Sequence, residues 1–434
     1  MSNETARIPR LWPFKKAFYG WGIVATSVLV SFAQVPMYGP VLSVFVKPLS
    51  EDPELQWSRG EISLAFTLGS LCGSLVSSIV GRQLDRYGAR FAVVGAGMII
   101  SGVLLGLAMM QEVWQFWILF GAGRTAALAG IYLGTAVGVS NWFIRKRGRA
   151  VSFISIGLRS GQAVFPLFIA PIIIVLSWRH AYAFLAVVCF LLIVVPGYLF
   201  MRRRPEDFGM VPDGDSPVAS AESQAVRTPS NASQEPADVS FTLAQAVRTP
   251  AFWLLIVATM TVVFANTAVN LHATASFRDR GLGEEFAGLF VFIFCGTAAL
   301  SAYGWGTLMD KINVRWGALI ATMFSGSSML VLMASGDLEI AVLFGILFGL
   351  GTGGWTLAQV LLFANYFGRA HLGSIRGVAQ MASGPVAAAG PLMAGLVYDA
   401  TDSYTLAFQI FVAAFILVAV CLLLAKPPKA SAGE

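Results

Sequence analysis

Two arginines stand where an arginine is costly. Arg124 and Arg159 each fall inside a long apolar run, and a guanidinium at the centre of a membrane-inserted helix costs about 2.5 to 3.5 kcal/mol, so such a residue faces a cavity or a partner. All 23 Asp and Glu residues lie in turns, tails or run ends, which leaves no carboxylate within the runs to neutralise either arginine. A bound anion could do so, through the two-pronged hydrogen bond that a planar guanidinium offers and an ammonium does not. The competing reading is structural, with Arg124 tied off by helix carbonyls and Arg159 turned toward the cytoplasmic mouth. His272 is the histidine expected to face a cavity, and its ordinary pKa of about 6.5 makes it a candidate proton carrier; a histidine bonded between helices is the plainer alternative.

The elements that must hold these residues are membrane spans. The 434-residue chain is 56% hydrophobic and 12% charged, with a mean hydropathy of +0.72, unlike any soluble domain. A crossing helix needs about 20 predominantly apolar residues, and twelve runs reach that length. Backbone groups in lipid must bond within their own segment, so twelve runs predict twelve helices and an all-α membrane protein. Most of the 29 Lys and Arg residues lie on the side shared by the basic turns and both termini, which makes that side cytoplasmic. The net charge of +6 therefore orients the protein in a bilayer and does not indicate a nucleic-acid partner. Cys72, Cys189, Cys295 and Cys421 all fall within apolar runs, where a small packing residue is the expected role, and no metal or cofactor site is predicted.

The chain is built twice. GRQLDRYGAR, from Gly81 to Arg90, recurs as GTLMDKINVR, from Gly306 to Arg315, pairing Gly81 with Gly306, Asp85 with Asp310, Arg86 with Lys311 and Arg90 with Arg315. Each insert is short, polar and set between two spans, so it forms a tight turn. Its aspartate can accept bonds from nearby backbone N–H groups and from arginine. Asn141-Trp142-Phe143 likewise matches Asn365-Tyr366-Phe367, and Arg147-Gly148 matches Arg376-Gly377. Internal duplication in a membrane protein points to two pseudo-symmetric lobes with a site between them. The expected organisation is a cytoplasmic leader (1–18), a six-helix bundle (19–204), a largely disordered cytoplasmic linker rich in Pro, Ser, Ala and acidic residues (205–249), a second six-helix bundle (250–425) and a cytoplasmic tail (426–434).

Within span one, Ser27, Ser31, Gln34 and Tyr38 share a helical face, and Pro36, Gly39 and Pro40 should bend the helix. Ser63, Thr67, Ser70, Ser74 and Ser77 form a small polar stripe along span two. Span three is plain and expected to face lipid. Gly130, Gly134 and Gly138 of span four permit close approach of another helix. Span seven aligns Asn266 and Asn270, and span ten aligns Trp355 with Gln359.

Six spans, a linker and six spans, with G-x-x-x-D-[RK] turns at Gly81 and Gly306, resemble the major facilitator superfamily. The segments around Pro48 to Arg59, Arg202 to Gly214 (RRRPEDFGMVPDG), Arg248 to Trp253 and Tyr366 to Gly377 are similar to its bacterial monocarboxylate and oxalate/formate branch. That resemblance implies a secondary active transporter of a small organic anion working by alternating access, as a proton symporter or an anion exchanger, and not an enzyme. It implies a cavity lined by spans one, four, seven and ten, which adds Gln34, Tyr38, Tyr132, Asn266, Asn270, Trp355 and Gln359 to Arg124 and Arg159 as substrate-binding candidates. The paired turns become conformational latches. The expected setting is a bacterial cytoplasmic (inner) membrane, with the protein monomeric and its partners an anion, a proton or counter-anion, and lipid. Span eight has no basic residue where carboxylate carriers of that branch often have one, so an exporter of neutral or amphipathic compounds, with both arginines structural, is the alternative.

Overall fold

A computed structural model of the chain describes residues 18–214, 240–279, 284–334 and 337–428, apart from Glu51, Glu54 and Gln56. Every regular element among the described residues is helical. Among the described residues, eleven helices are long and apolar enough to cross a membrane. The first expected span is the exception, because proline removes a backbone donor and obstructs the preceding turn. It divides into α1 (Gly20–Ala33), a 3-10 turn (Val35–Met37) and α2 (Gly39–Ser50), with Pro36 and Pro40 at the break as the sequence predicts. With this broken span taken as one crossing, the twelve-helix expectation is met.

The first half continues with α3 (Arg59–Tyr87), α4 (Ala89–Ala108), α5 (Val113–Trp142), α6 (Arg147–Val175) and α7 (Trp178–Phe200). A capping box opens α3: Ser58 Oγ accepts the Glu61 amide at 3.2 Å, and the Glu61 carboxylate accepts the Ser58 amide at 2.8 Å. The Ser58 amide and hydroxyl, which both donate to the Glu61 carboxylate, hold it below its ordinary pKa, the expected effect of hydrogen bonding to the charged form. The helix ends at Gly88, whose φ of 85° suits a residue without a Cβ. Here α3 packs on α5, α1 on α6, and α4 on α7. Against expectation, α4 is not only a lipid-facing helix. Phe91, Met98 and Leu105 are exposed, but Val93, Ala96 and Ile100 are buried, because the glycine stripe of α5 lies directly on them. A Cβ at Gly130 would overlap the Ala96 methyl, and one at Gly138 would come within 2.9 Å of Ala89.

The short helix α8 (Leu243–Val247) precedes the second half, which comprises α9 (Pro250–Asp279), α10 (Glu284–Lys311), α11 (Val314–Ala334), α12 (Leu338–Phe367), α13 (Leu372–Thr401) and α14 (Thr405–Leu424). Both α9 and α11 pack on α14, and Phe290 stacks on Phe344 with ring centroids 5.4 Å apart. The glycine-dense part of α12 serves close packing, since a Cβ at Gly353 would lie 2.9 Å from the Ala298 carbonyl oxygen.

Two compact units emerge. One contains the described residues up to Leu243 together with Phe367–Gly377; the other contains Ala244–Tyr366 and the described residues from Val378 onward. The connector between α12 and α13 thus belongs to the first unit, although by sequence it lies in the second half. In the expected linker, 205–214 folds into two 3-10 turns, Pro205–Phe208 and Pro212–Gly214. Its stretch 215–239 lies outside the described residues, as do the leader up to Ala17 and the tail from Lys429.

Candidate functional site

Arg124 is set by the break in the first span. Around that break the Val41 and Leu42 amides both bond to the Tyr38 carbonyl, at 3.2 and 3.0 Å. The Met37 carbonyl, one residue earlier, accepts Nη1 of Arg124 at 2.9 Å, and Nε donates to Ser70 Oγ at 3.2 Å. The guanidinium lies between two rings, its carbon 4.5 Å from the centroid of Tyr38 and 4.3 Å from that of Phe66. Only 8% of the residue is exposed, yet its partners are a hydroxyl, a carbonyl and aromatic faces, none carrying a full negative charge. Gly69 makes room for it, since a Cβ there would lie 2.6 Å from the arginine Cβ. Directly after Arg124, α5 widens into a π-helical stretch, Ala126–Tyr132, a rare form that is frequent at functional sites.

In the first unit the structure joins Arg124 to Tyr38, and Tyr38 in turn has Tyr132 and Arg159 as electrostatic neighbours. Arg159 donates from Nη1 to Gln162 Oε1 at 3.1 Å. Gln34 is 1% exposed, and its Oε1 has no hydrogen-bond partner. In the second unit Asn270 Nδ2 donates to the Asn266 carbonyl at 2.7 Å, while Asn266 Oδ1 and Trp355 Nε1 are buried without partners. Gln359 lies one helical turn beyond Trp355 on α12. Buried polar atoms are ordinarily satisfied, and Gln34, Asn266 and Trp355 contribute three of the thirteen described side-chain atoms that are not. His272 has both ring nitrogens engaged, Nε2 at 3.0 Å from the Pro391 carbonyl and Nδ1 at 3.2 Å from the Tyr404 hydroxyl. The carbonyl requires a donor, so in the neutral ring Nε2 carries the hydrogen and Nδ1 accepts from Tyr404.

The first of the repeated turns meets the start of α13. Asp85 accepts the Gly373 amide at 2.8 Å and the Ser374 amide at 2.7 Å, together with the Ser374 hydroxyl. A carboxylate thereby closes the N-terminus of α13, where unpaired amides and the helix dipole favour negative charge. Gly81 and Gly373 touch backbone to backbone there, and a Cβ on Gly81 would overlap the Gly373 carbonyl. Arg203 donates to the Asp85 main-chain carbonyl at 2.8 Å, and Arg86 lies over the Tyr87 ring. Arg90 and its counterpart Arg315 both reach the last helix of their own half, Arg90 over the Tyr198 ring at 4.2 Å and Arg315 to the Ala425 carbonyl at 3.3 Å.

The segment after α7 ties further parts of the first unit together. Arg369 donates to the Asn141 carbonyl at 2.9 Å and pairs with Glu206 at 2.5 Å. Asp213, buried and at φ 63°, accepts the successive amides of Ile144, Arg145 and Lys146 at 2.9, 2.9 and 3.0 Å. The sequence gives no hint of this nest beyond the PDG triplet. It also conceals a third arginine: Arg376, expected near a span end, is 6% exposed, lies within an apolar helix, and has its guanidinium carbon 5.8 Å from the Tyr132 ring centroid. It stands four residues into the span Leu372–Tyr398, toward the span end as expected, but buried there and not solvated.

Comparison with known proteins decides the family. The Major Facilitator Superfamily model matches residues 24–283 and 255–434. The chain belongs to the major facilitator superfamily. It is accordingly a multi-pass membrane transporter and not an enzyme, as the duplicated turns imply. Among this superfamily member's relatives, the probable L-galactonate transporter of Escherichia coli (strain K12) is 24% identical over 88% of the chain and 84% of the relative. The oxalate:formate antiporter of Oxalobacter formigenes is 25% identical over 62% of the chain and 59% of the relative. The multi-drug resistance efflux pump PmrA of Streptococcus pneumoniae is 26% identical over 74% of each. A solved structure of the proton:xylose symporter XylE superimposes with a TM-score of 0.73 over 94% of the chain and 96% of its own length, at 13% identity, which establishes the shared fold. Among the described residues, no group of three or more His, Cys, Asp or Glu could hold a metal ion.

Proposed function

We propose that this transporter carries a small organic anion, monocarboxylate-like in class, by alternating access of its two halves, as a proton symporter or an anion exchanger. One observation carries the reading: among the described residues, the buried Arg124 guanidinium meets only neutral groups, two ring faces, Ser70 Oγ and the Met37 carbonyl. A buried charge without a counter-charge is strongly disfavoured, and a substrate carboxylate would supply that charge each time the site fills. Similarity to an oxalate:formate antiporter and a probable galactonate transporter agrees with an anionic cargo. Tyr38, Tyr132, Gln34 and Arg159 would complete the anion's surroundings in the first half; Asn266, Asn270, Trp355 and Gln359 would do so in the second. The turn at Gly81 to Arg90 would latch one access state through Asp85, and that at Gly306 to Arg315 would be its counterpart through Asp310. Both termini would face the cytoplasm of a bacterium, because the basic residues concentrate on that side.

A specific observation favours the alternative. The carbonyl and ring contacts of Arg124 are those of a structural arginine, and PmrA is a drug efflux pump. Uptake of radiolabelled oxalate, formate and L-galactonate into proteoliposomes, beside a lipophilic cation, separates the two readings. Saturable carboxylate uptake is expected. Transport of the cation with no carboxylate uptake would overturn the anion reading.

A further inference from the structure

Arg376 and Arg147 occupy matching positions in the internal repeat, each followed by glycine. Arg147 is a satisfied helix cap. Its Nε donates to the Phe143 carbonyl at 2.9 Å and its Nη2 to the Ser140 carbonyl at 3.1 Å, which closes the carbonyl end of α5, where a cation is favoured. At the matching end of α12 the Phe367 carbonyl, counterpart of that of Phe143, is already bonded by the Phe241 amide at 2.9 Å. The chain returning toward α8 has taken the place of the arginine. Arg376 turns instead to Tyr132, its guanidinium carbon over that ring, and its Nη1 has no hydrogen-bond partner although the residue is 6% exposed. Residues 132, 241, 367 and 376 all belong to the first compact unit.

A buried guanidinium nitrogen without an acceptor is a large cost to leave standing. Among the described residues, no full negative charge is an electrostatic neighbour of Arg376; Tyr132 is the titratable group it faces. Tyr132 is also an electrostatic neighbour of Tyr38, as are Arg124 and Arg159. The arginines are therefore linked through two phenols, with Arg124 at one end and Arg376 at the other. We propose that Arg376 is a second anion-binding residue of this transporter, whose Nη1 takes a carboxylate oxygen of the cargo beside the Tyr132 ring, at a station distinct from that of Arg124. The inference rests on the anion reading above and adds a place where the anion is handed on. A guanidinium suits this task because it binds a carboxylate through directed N–H donors while its face rests on an aromatic ring.

The test uses the purified full-length protein, with oxalate, formate and L-galactonate as probes, and reads both affinity by calorimetry and thermal stability without ligand. Arg376→Gln is expected to bind the best of the three about tenfold more weakly, the loss expected for one charge-assisted hydrogen bond, with no fall in its unliganded Tm. Arg147→Gln should do the reverse, losing Tm and keeping affinity. Arg376→Lys guards against a glutamine variant that does not fold, since it keeps the charge; its affinity should also fall. If either Arg376 variant binds as wild type does, the inference is overturned while the anion reading stands. Binding of none of the three probes by wild type overturns both.

Discussion

Asp85 and Ser374, from opposite halves of the sequence, share three atoms: the Ser374 amide and hydroxyl both donate to one carboxylate oxygen of Asp85, at 2.7 and 2.5 Å. The other oxygen takes the Gly373 amide. An asparagine in place of the aspartate offers one acceptor oxygen and no charge, so Asp85→Asn weakens the closure of α13 by about 1 kcal/mol, within the range of a lost cap. Stopped-flow exchange with preloaded vesicles should show slower turnover. Equilibrium affinity for substrate should stay within about twofold, since that energy acts on the helix terminus and not on the cargo. A large affinity loss would contradict the latch.

Backbone contact makes the same connector sensitive to a single methyl group. Gly377 lies so near the Ser77 carbonyl that a Cβ would overlap it, whereas Gly95 has nothing within 4 Å of the equivalent position. Gly377→Ala should lower Tm and transport together, because helix backbones must separate to admit it. Gly95→Ala should be neutral or stabilising by up to about 1 kcal/mol, the helix-propensity difference. Equal Tm values for the two variants would refute the close approach.

The two carboxylates after α7 should differ in worth. Glu206 pairs with Arg369 from a side chain 44% exposed, and exposed pairs contribute about 0 to 1 kcal/mol. Asp213 satisfies three consecutive amides from a buried position. Asp213→Ala should destabilise by roughly 2 kcal/mol or more, and Glu206→Ala by little. Asp213→Gly tolerates the φ of 63° but still lacks the carboxylate. If glycine restored full stability, backbone strain and not the nest would be the cause.

Arg124→Lys retains a cation but loses the geometry that serves Ser70 and Met37 together. Expression should survive, because lysine can still reach the Met37 carbonyl. Transport should fall by at least about tenfold, the effect of losing one charge-assisted bond to substrate. Parallel loss of folded protein and activity would favour the structural role.

Coupling can be tested at His272, which bonds Pro391 and Tyr404. His272→Gln can donate to the carbonyl and accept from the phenol but cannot titrate. In vesicles with a pH gradient and no internal anion, wild type should accumulate the carboxylate and the variant should not. Accumulation by the variant would exclude His272 as the proton carrier, and movement by wild type only after preloading would identify an exchanger.

Much of the architecture was legible because it is written in periodicity and repetition. Apolar runs gave the spans, Pro36 and Pro40 gave the break, and Gly130 to Gly138 gave a packing face, though not that α4 would fill it. Asp85 was legible as an acceptor of amides. That those amides belong to residues 373 and 374 was not, since no local pattern joins positions so far apart. Arg376 escaped for a related reason: beside a polar turn it reads as a solvated end, and only the packing of Phe367–Gly377 within the first unit buries it. The nest around Asp213 depends on three backbone amides, which carry no side-chain signature.

The π-helical stretch at Ala126–Tyr132 bears on how residues are carried between relatives. A π turn accommodates an extra residue within a helix that otherwise continues unchanged, so it behaves like a one-residue insertion with no gap in the chain. Where a relative keeps a straight helix here, a gapless alignment that is correct at Arg124 is off by one at Tyr132. Equivalence on the two sides of that stretch has to be assigned by superposition, separately for each arginine–tyrosine partner, before a substitution in one carrier is read as evidence about another.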